Sequence, residues 1–318
     1  MRRTLGAIVI AFLVATLSFV LVHAAPGAPF AALREDPRVT PEMADRIRAQ
    51  YGLDRPLGDQ YLLYMGRLVR GDFGESFQQR RPVRAVLADA LPKTLLLMGT
   101  AIVVAFALGV LLGAVQAYRR GSRFDAAMGH LSLTLASIPE YLLAIALLAL
   151  FAYRFPLFPT GGMADAVLSR FNSPLQHARD VAWHLVLPAT TLVLIIGAVV
   201  ARYQRAALLD VLPEDFVRTA RAKGVSPRRV LFVHALRNAM LPTVTLVGLV
   251  FPALFGGAVF VESVYSWPGM GRTIVDALLA RDYPLIVGSV FVGSLFVVAG
   301  GLIADLAAAV ADPRTRTA

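Results

Sequence analysis

Residues 93–117 read KTLLLMGTAIVVAFALGVLLGAVQA, and no charged side chain follows Lys93 within that stretch. At about 1.5 Å per residue, such a run crosses roughly 30 Å of hydrocarbon as a single helix. Apolar runs of the same order occupy about Leu5–Ala25, Met128–Ala152, His184–Val200, Met240–Val261 and Pro284–Val310. The 318-residue chain is 57% hydrophobic and only 16% charged, with a mean hydropathy of +0.64. A water-soluble domain is about 45–50% apolar and about 25% charged. The expected fold is an all-α integral membrane protein with about six transmembrane helices.

The segments between the spans divide the chain. Residues 1–25 read as a first transmembrane helix. Arg2 and Arg3 precede it, but its apolar run is longer than the ~7–15 residues of a cleavable signal peptide, so it is expected to stay in place. Residues 26–92 are rich in charge and punctuated by Pro and Gly, and read as a soluble insertion. Within it, Thr40-Pro41-Glu42 has the pattern of a helix start, and residues 60–69 that of a short amphipathic helix. Residues 93–318 form a five-helix core with a polar, basic loop at 202–238. Pro188 in the fourth span and Pro242, Pro252 and Gly256-Gly257 in the fifth are tolerable, because neighbouring helices re-satisfy the backbone. Six spans place both termini on one side, together with the Tyr118-Arg119-Arg120-Gly121-Ser122-Arg123 loop and the 202–238 loop. Their arginines make that side cytoplasmic and the 26–92 insertion external.

Several chemistries lack their residues. The two lysines, Lys93 and Lys223, stand in no Gly-rich phosphate-binding pattern. The five histidines, His23, His130, His177, His184 and His234, contain no zinc-protease pair, there is no Gly-x-Ser-x-Gly elbow, and there is no cysteine. The net charge of +10 flanks apolar spans rather than any nucleic-acid-binding motif, so membrane lipid, not nucleic acid, is the expected contact.

The loop at 202–238 holds the most informative pattern. Pro213-Glu214-Asp215 sets a helix start with acids near its positive end. Arg218, Arg221 and Lys223 favour its negative end, and Gly224 supplies the left-handed stop. Phe216, Val217 and Ala220 are expected on one apolar face, and Ser226-Pro227 opens a second helix. A short helix, a Gly turn and another helix between two spans suit docking into a partner's groove better than a solvated loop does.

Phe216-Val217-Arg218-Thr219-Ala220-Arg221-Ala222-Lys223-Gly224, with Asn238-Ala239-Met240-Leu241-Pro242 downstream, resembles the cytoplasmic signature of ABC-importer permeases, closest to the dipeptide/oligopeptide/nickel subfamily. Leu21-Val22-His23-Ala24-Ala25-Pro26-Gly27, Tyr51-Gly52-Leu53-Asp54, Gly71-Asp72-Phe73-Gly74, residues 262–271 (ESVYSWPGMG) and Asp312-Pro313-Arg314 are similar to the first permease subunit of such systems. The general importer signature begins Glu-Ala-Ala where this chain has Arg218-Thr219-Ala220, a departure the peptide subfamily shares. The resemblance implies a type I ABC-importer transmembrane-domain fold in a bacterial inner membrane. It implies a second homologous permease, two ATP-binding subunits that bind the ATP and Mg, and an extracytoplasmic substrate-binding protein; this chain would hold no cofactor. It makes the helix ending at Gly224 the coupling element. Cargo stays open among dipeptides, longer peptides, glutathione and nickel chelates.

Glu140, in Ser137-Ile138-Pro139-Glu140-Tyr141, is an acid expected near the middle of a span, where an ionisable group is a functional candidate. It either lines the pathway and meets a peptide's amino terminus, or sits in a pair or hydrogen bond that fixes a Pro139 kink. Glu262 and Asp305 are expected at the lipid interface, near span ends. A secondary transporter would need ion-binding acids within its spans, which Glu140 alone partly meets. A membrane enzyme would need a catalytic pair, and a scaffold leaves the Pro and Gly breaks unexplained.

Overall fold

The structure, a computed structural model, describes residues 2–24, 42 and 54–311. The helix start expected at Thr40-Pro41, the Tyr51-Gly52-Leu53 stretch and the tail from Asp312 lie outside the described residues, as does the side chain of Asp305. The described elements are α1 (Arg2–Ala24), α2 (Leu57–Val69), α3 (Val83–Tyr118), α4 (Arg123–Ser137), α5 (Glu140–Leu148), α6 (Pro174–Val211), α7 (Asp215–Ala222), α8 (Leu236–Val264), α9 (Met270–Leu279) and α10 (Tyr283–Ala311). A π-helical turn, Ala149–Arg154, extends α5, and a short turn Pro227–Arg229 with a π-helical stretch Val230–Ala235 leads into α8. Apart from one isolated bridge between Glu75 and Pro82, the regular structure among the described residues is helical.

Among the described residues, four helices are long and apolar enough to cross a membrane: α3, α6, the run Pro227–Gly248 that enters α8, and Tyr283–Leu302 within α10. The pair α4–α5 is long and apolar enough only when taken together, as a broken span or a re-entrant loop, and α1 carries a shorter apolar stretch, Val9–Ala24. These are the places where the sequence sets its six runs. The third differs in form. It is not one kinked helix, because α4 and α5 meet at 103°. Ile138 adopts extended backbone, with ψ of 127°, since a residue before proline is driven out of the α region, and Pro139, with ψ of 133°, is the non-helical residue that flanks the start of α5.

Other boundaries also move. Pro92, read as the end of the insertion, lies inside α3, so residues 83–92 are the first turns of that helix. α6 begins well before His184: Ser173 accepts from the Gln176 amide while Gln176 returns a bond to the Ser173 backbone, and Pro174 fills the first helical position. Residues 202–211 continue α6, so the irregular part of the basic loop is confined to a few residues around α7. α9 occupies a region read only as the sequel to a loop.

The chain forms two compact units, Met1–Pro92 with Arg272–Val298, and Lys93–Gly271 with Ala299–Ala318. In the first, α2 lies on α1. Thr16 Oγ1 and Tyr61 Oη are 2.8 Å apart, Tyr64 Oη donates to the Ala15 carbonyl at 3.2 Å, and the His23 ring bridges the Phe19 carbonyl and Gln60 Oε1 at 2.8 and 3.0 Å. The buried Asp282 carboxylate accepts from Ser76 Oγ and from the amides of Gln78 and Leu285, the last capping α10.

In the second unit α6 is the central post. It packs against α4, α5 and α8, and 61% of its most apolar stretch is buried, against 28% for α3. α3 approaches it through Gly109 and Gly113, the small-x-x-x-small spacing that lets membrane helices meet backbone to backbone. A Cβ on Gly113 would stand 2.5 Å from the Ala201 carbonyl oxygen, and one on Gly109 would stand 2.7 Å from Val200 Cβ. Tyr265, fully buried, ties three elements: its hydroxyl donates to the Ala144 carbonyl at 3.0 Å and meets Thr191 Oγ1 at 3.0 Å. α4 is clamped to α6 by a forked ion pair, with Arg205 Nε donating to Asp125 Oδ1 at 2.7 Å and Nη2 to Oδ2 at 2.8 Å. The Gly121 amide donates to the same carboxylate, and Ser122 caps α4.

Two outcomes follow for stability. Gly113→Leu is expected to lower the thermal midpoint of the purified protein, an overpacking cost of about 1–3 kcal/mol, because the obstructing atom is backbone and cannot rotate away. Asp125→Asn, which deprives the Arg205 guanidinium of its carboxylate, is expected to cost about 1–3 kcal/mol at neutral pH, read as a lower melting midpoint.

Candidate coupling site

α7 stands between α6 and the lead-in to α8 as eight helical residues. The amides of Val217 and Arg218 bond the Glu214 carbonyl, and Thr219 Oγ1 donates back to the Asp215 carbonyl at 2.9 Å. Its end is defined with unusual completeness. The Val225 amide bonds the Ala220 carbonyl at 3.2 Å and the Gly224 amide bonds the Arg221 carbonyl at 2.9 Å, the paired six-to-one and five-to-two bonds of a Schellman stop. Gly224 sits at φ +77°, and a Cβ there would meet nothing within 4 Å. Its requirement is one of backbone handedness, not of space.

Val217 is fully buried in a cluster with Ala114 and Ala117 of α3, Leu208 of α6, and Val230 and Leu231 of the lead-in. Ala220 and Val225 pack on the same cluster. The expected apolar face thus holds for Val217 and Ala220. Phe216 departs from it, 41% exposed on the outer side, because it lies about 100° round the helix from Val217. Arg218, Thr219, Arg221, Ala222, Lys223 and Gly224 are exposed as well. The helix is therefore a peg, held by one valine in a socket made from three spans, with an aromatic ring and three cations turned outward. An aromatic anchor ringed by charge suits protein recognition.

Glu140 is the first residue of α5, at the 103° break, half-buried. No hydrogen bond or ion pair reaches its carboxylate among the described residues. It lies at the helix N-terminus, where the backbone dipole favours a negative charge.

Glu262 corrects an expectation. It does not sit at a lipid interface but is fully buried, accepting from Thr94 Oγ1 at 2.6 Å, while the Met270 amide donates to that same hydroxyl at 2.8 Å. Gly269 and Gly271 close over the carboxylate, where any Cβ would collide with it. Trp267, fully buried, donates from Nε1 to the Lys93 carbonyl at 3.0 Å. The run 262–271 is thus a buried knot joining the start of the Lys93 segment to the end of α8, and proximity between residues so distant in sequence left no local signal. A carboxylate set among apolar spans was the one clue, since such a group is stable only with partners.

Two family models match the chain. Residues 109–317 match the binding-protein-dependent transport system inner membrane component, and residues 1–98 match the N-terminal part of the membrane component of such systems. The chain is 39% identical to the oligopeptide transport system permease protein AppB of Bacillus subtilis (strain 168), across 98% of its own length and 97% of that protein. It is 37% identical to the dipeptide transport system permease protein DppB of Escherichia coli (strain K12), covering 99% and 97%. Against the di/tripeptide transport system permease protein DppB of Pseudomonas aeruginosa (strain UCBPP-PA14) the identity is 38%, covering 99% and 97%. With matches of this extent carried on a chain of long apolar helices, the protein belongs to the family of binding-protein-dependent transport system inner membrane components and is a multi-pass membrane transport permease.

Proposed function

We propose that the chain is the permease subunit of an ATP-driven importer of dipeptides or oligopeptides. It forms half of the translocation pathway beside a second homologous permease. Two separate ATP-binding subunits, which carry the ATP and Mg, dock on the 213–224 helix, and an extracytoplasmic binding protein delivers cargo to the side of the 26–92 insertion. The single observation that carries this reading is the seating of α7, whose one buried residue, Val217, belongs to a cluster drawn from three spans while its outer face stays open. A push on such a peg moves α3, α6 and α8 together. The peptide cargo is supported by the oligopeptide, dipeptide and di/tripeptide permeases to which the chain is similar over nearly its full length. The arginines at both chain ends and in the 118–123 and 202–238 segments support cytoplasmic termini.

Reconstitution in liposomes with the two ATPases, the second permease and the binding protein is expected to give ATP-dependent uptake of a labelled dipeptide. Uptake by the chain alone on an ion gradient would overturn the reading in favour of a secondary transporter. Uptake confined to nickel chelates or glutathione would reassign the cargo and leave the permease role standing.

Gly224→Val is expected to leave assembly intact but to reduce uptake per ATP hydrolysed about tenfold, since a β-branched residue resists the left-handed turn. Gly224→Asn, which tolerates that conformation, is expected to keep most of the coupling. Equal coupling in both variants would remove the role assigned to the turn. We assign Glu140 to the pathway, meeting the cargo's amino terminus. Glu140→Gln is then expected to raise KM for peptides with a free amino group more than for N-acetylated ones, and wild-type uptake across such a panel would exclude that role.

A further inference from the structure

A cavity of about 450 Å³ opens where the ends of α3 and α6 meet the start of α4. Gln116 lines it and has no exposed surface, yet neither Oε1 nor Nε2 of its side chain has a hydrogen-bond partner among the described residues. Gln204, equally buried on the neighbouring helix, shows the ordinary state: its oxygen accepts from Thr243 and its nitrogen donates to the Ala239 carbonyl. A buried amide is rarely left without a partner, and the cavity is the side from which one can come.

The remaining lining is rich in donors. Arg202, Arg205 and His130 face the cavity against one carboxylate, Asp125. That carboxylate is already taken by the forked bonds from Arg205 and by the Gly121 amide. Arg202 makes no ion pair among the described residues. Arg119, Arg120 and Arg123 stand exposed on the connecting turn beside it. One wall is apolar and open, with Leu133 on α4 53% exposed. Cationic and amide donors beside an exposed apolar wall, at the ends of membrane helices, match the two halves of a phospholipid at the bilayer boundary. Basic pockets between membrane helices recognise anionic headgroups in this way.

We propose that this cavity binds the headgroup of an anionic phospholipid. The Arg202 guanidinium donates to its phosphodiester oxygens, the Gln116 amide rotates into the cavity to donate as well, and its acyl chains leave along the Leu133 wall. The site is separate from α7 and from Glu140, and it does not depend on which cargo is carried.

Native mass spectrometry of the full chain in detergent, titrated with dioctanoyl phosphatidylglycerol, tests this. Wild type is expected to retain the lipid, with phosphatidylcholine of the same chain length retained less. Arg202→Gln is expected to weaken retention about fivefold and Gln116→Leu about tenfold. Arg84→Gln, at the opposite end of α3, should leave it unchanged. Arg202 is exposed, so its variant keeps the test valid if Gln116→Leu fails to fold. Equal retention by Arg202→Gln and wild type would overturn the proposal. Displacement of the lipid by inorganic phosphate at matched concentration would reassign the site to a soluble phosphate, and displacement by dialanine would place it in the cargo route; either overturns the lipid reading.

Discussion

The second unit rests on the close approach of α3 to α6. Within hydrocarbon the hydrophobic effect does not drive helices together, so contact must come from shape and from polar groups that find partners. Gly109 and Gly113 remove the side chains that would hold the two backbones apart. Once α6 is fixed against α3, its other faces take α4, α5 and α8. The polar ties then follow from placement: Asp125 with Arg205, Thr191 with Tyr265, and Gln204 with Thr243. Breaking any one of them would leave a buried polar group without a partner, which costs free energy in an apolar surrounding.

The same post explains how a helix of eight residues can hold a definite position. Isolated helices of that length are marginal. α7 is stable because Val217 is buried in a socket built by three longer helices and because a complete stop fixes its far end. The features that make it rigid all lie on its inner side and at its termini. Its outer residues are left free of structural duty, as a surface for recognition requires.

Much of this was legible in the sequence. The apolar runs gave the spans, and the alternation of Pro, acids, bases and Gly over residues 213–224 gave α7 with its stop at the right residue. What escaped was whatever depends on the third dimension. A proline inside an apolar run signals a disturbance, but a bend of 103° and a mild kink look alike in one dimension. α6 outlasts its apolar stretch because a capping box at Ser173 extends it, although the residues between are polar. Phe216 and Val217 are neighbours of similar hydrophobicity, and only the placement of α3, α6 and the lead-in to α8 decides which one is buried. Glu262 read as interfacial because its partner Thr94 lies 168 residues away. The two small residues, Gly109 and Gly113, did carry a readable spacing, and it would have pointed to the close approach of α3 to α6.

Gly224 and Gly113 are glycines for opposite reasons, and the difference can be put in terms of chirality. At Gly113 any β-carbon is excluded, of either hand, by a carbonyl oxygen. At Gly224 the space around the α-carbon is empty, and only the positive φ stands against an L side chain. A D-alanine would occupy the turn without strain and would narrow the unfolded ensemble that glycine leaves wide. What the turn demands is the absence of L configuration, so its shape is set by the mirror image of ordinary backbone geometry and not by the small size of its residue.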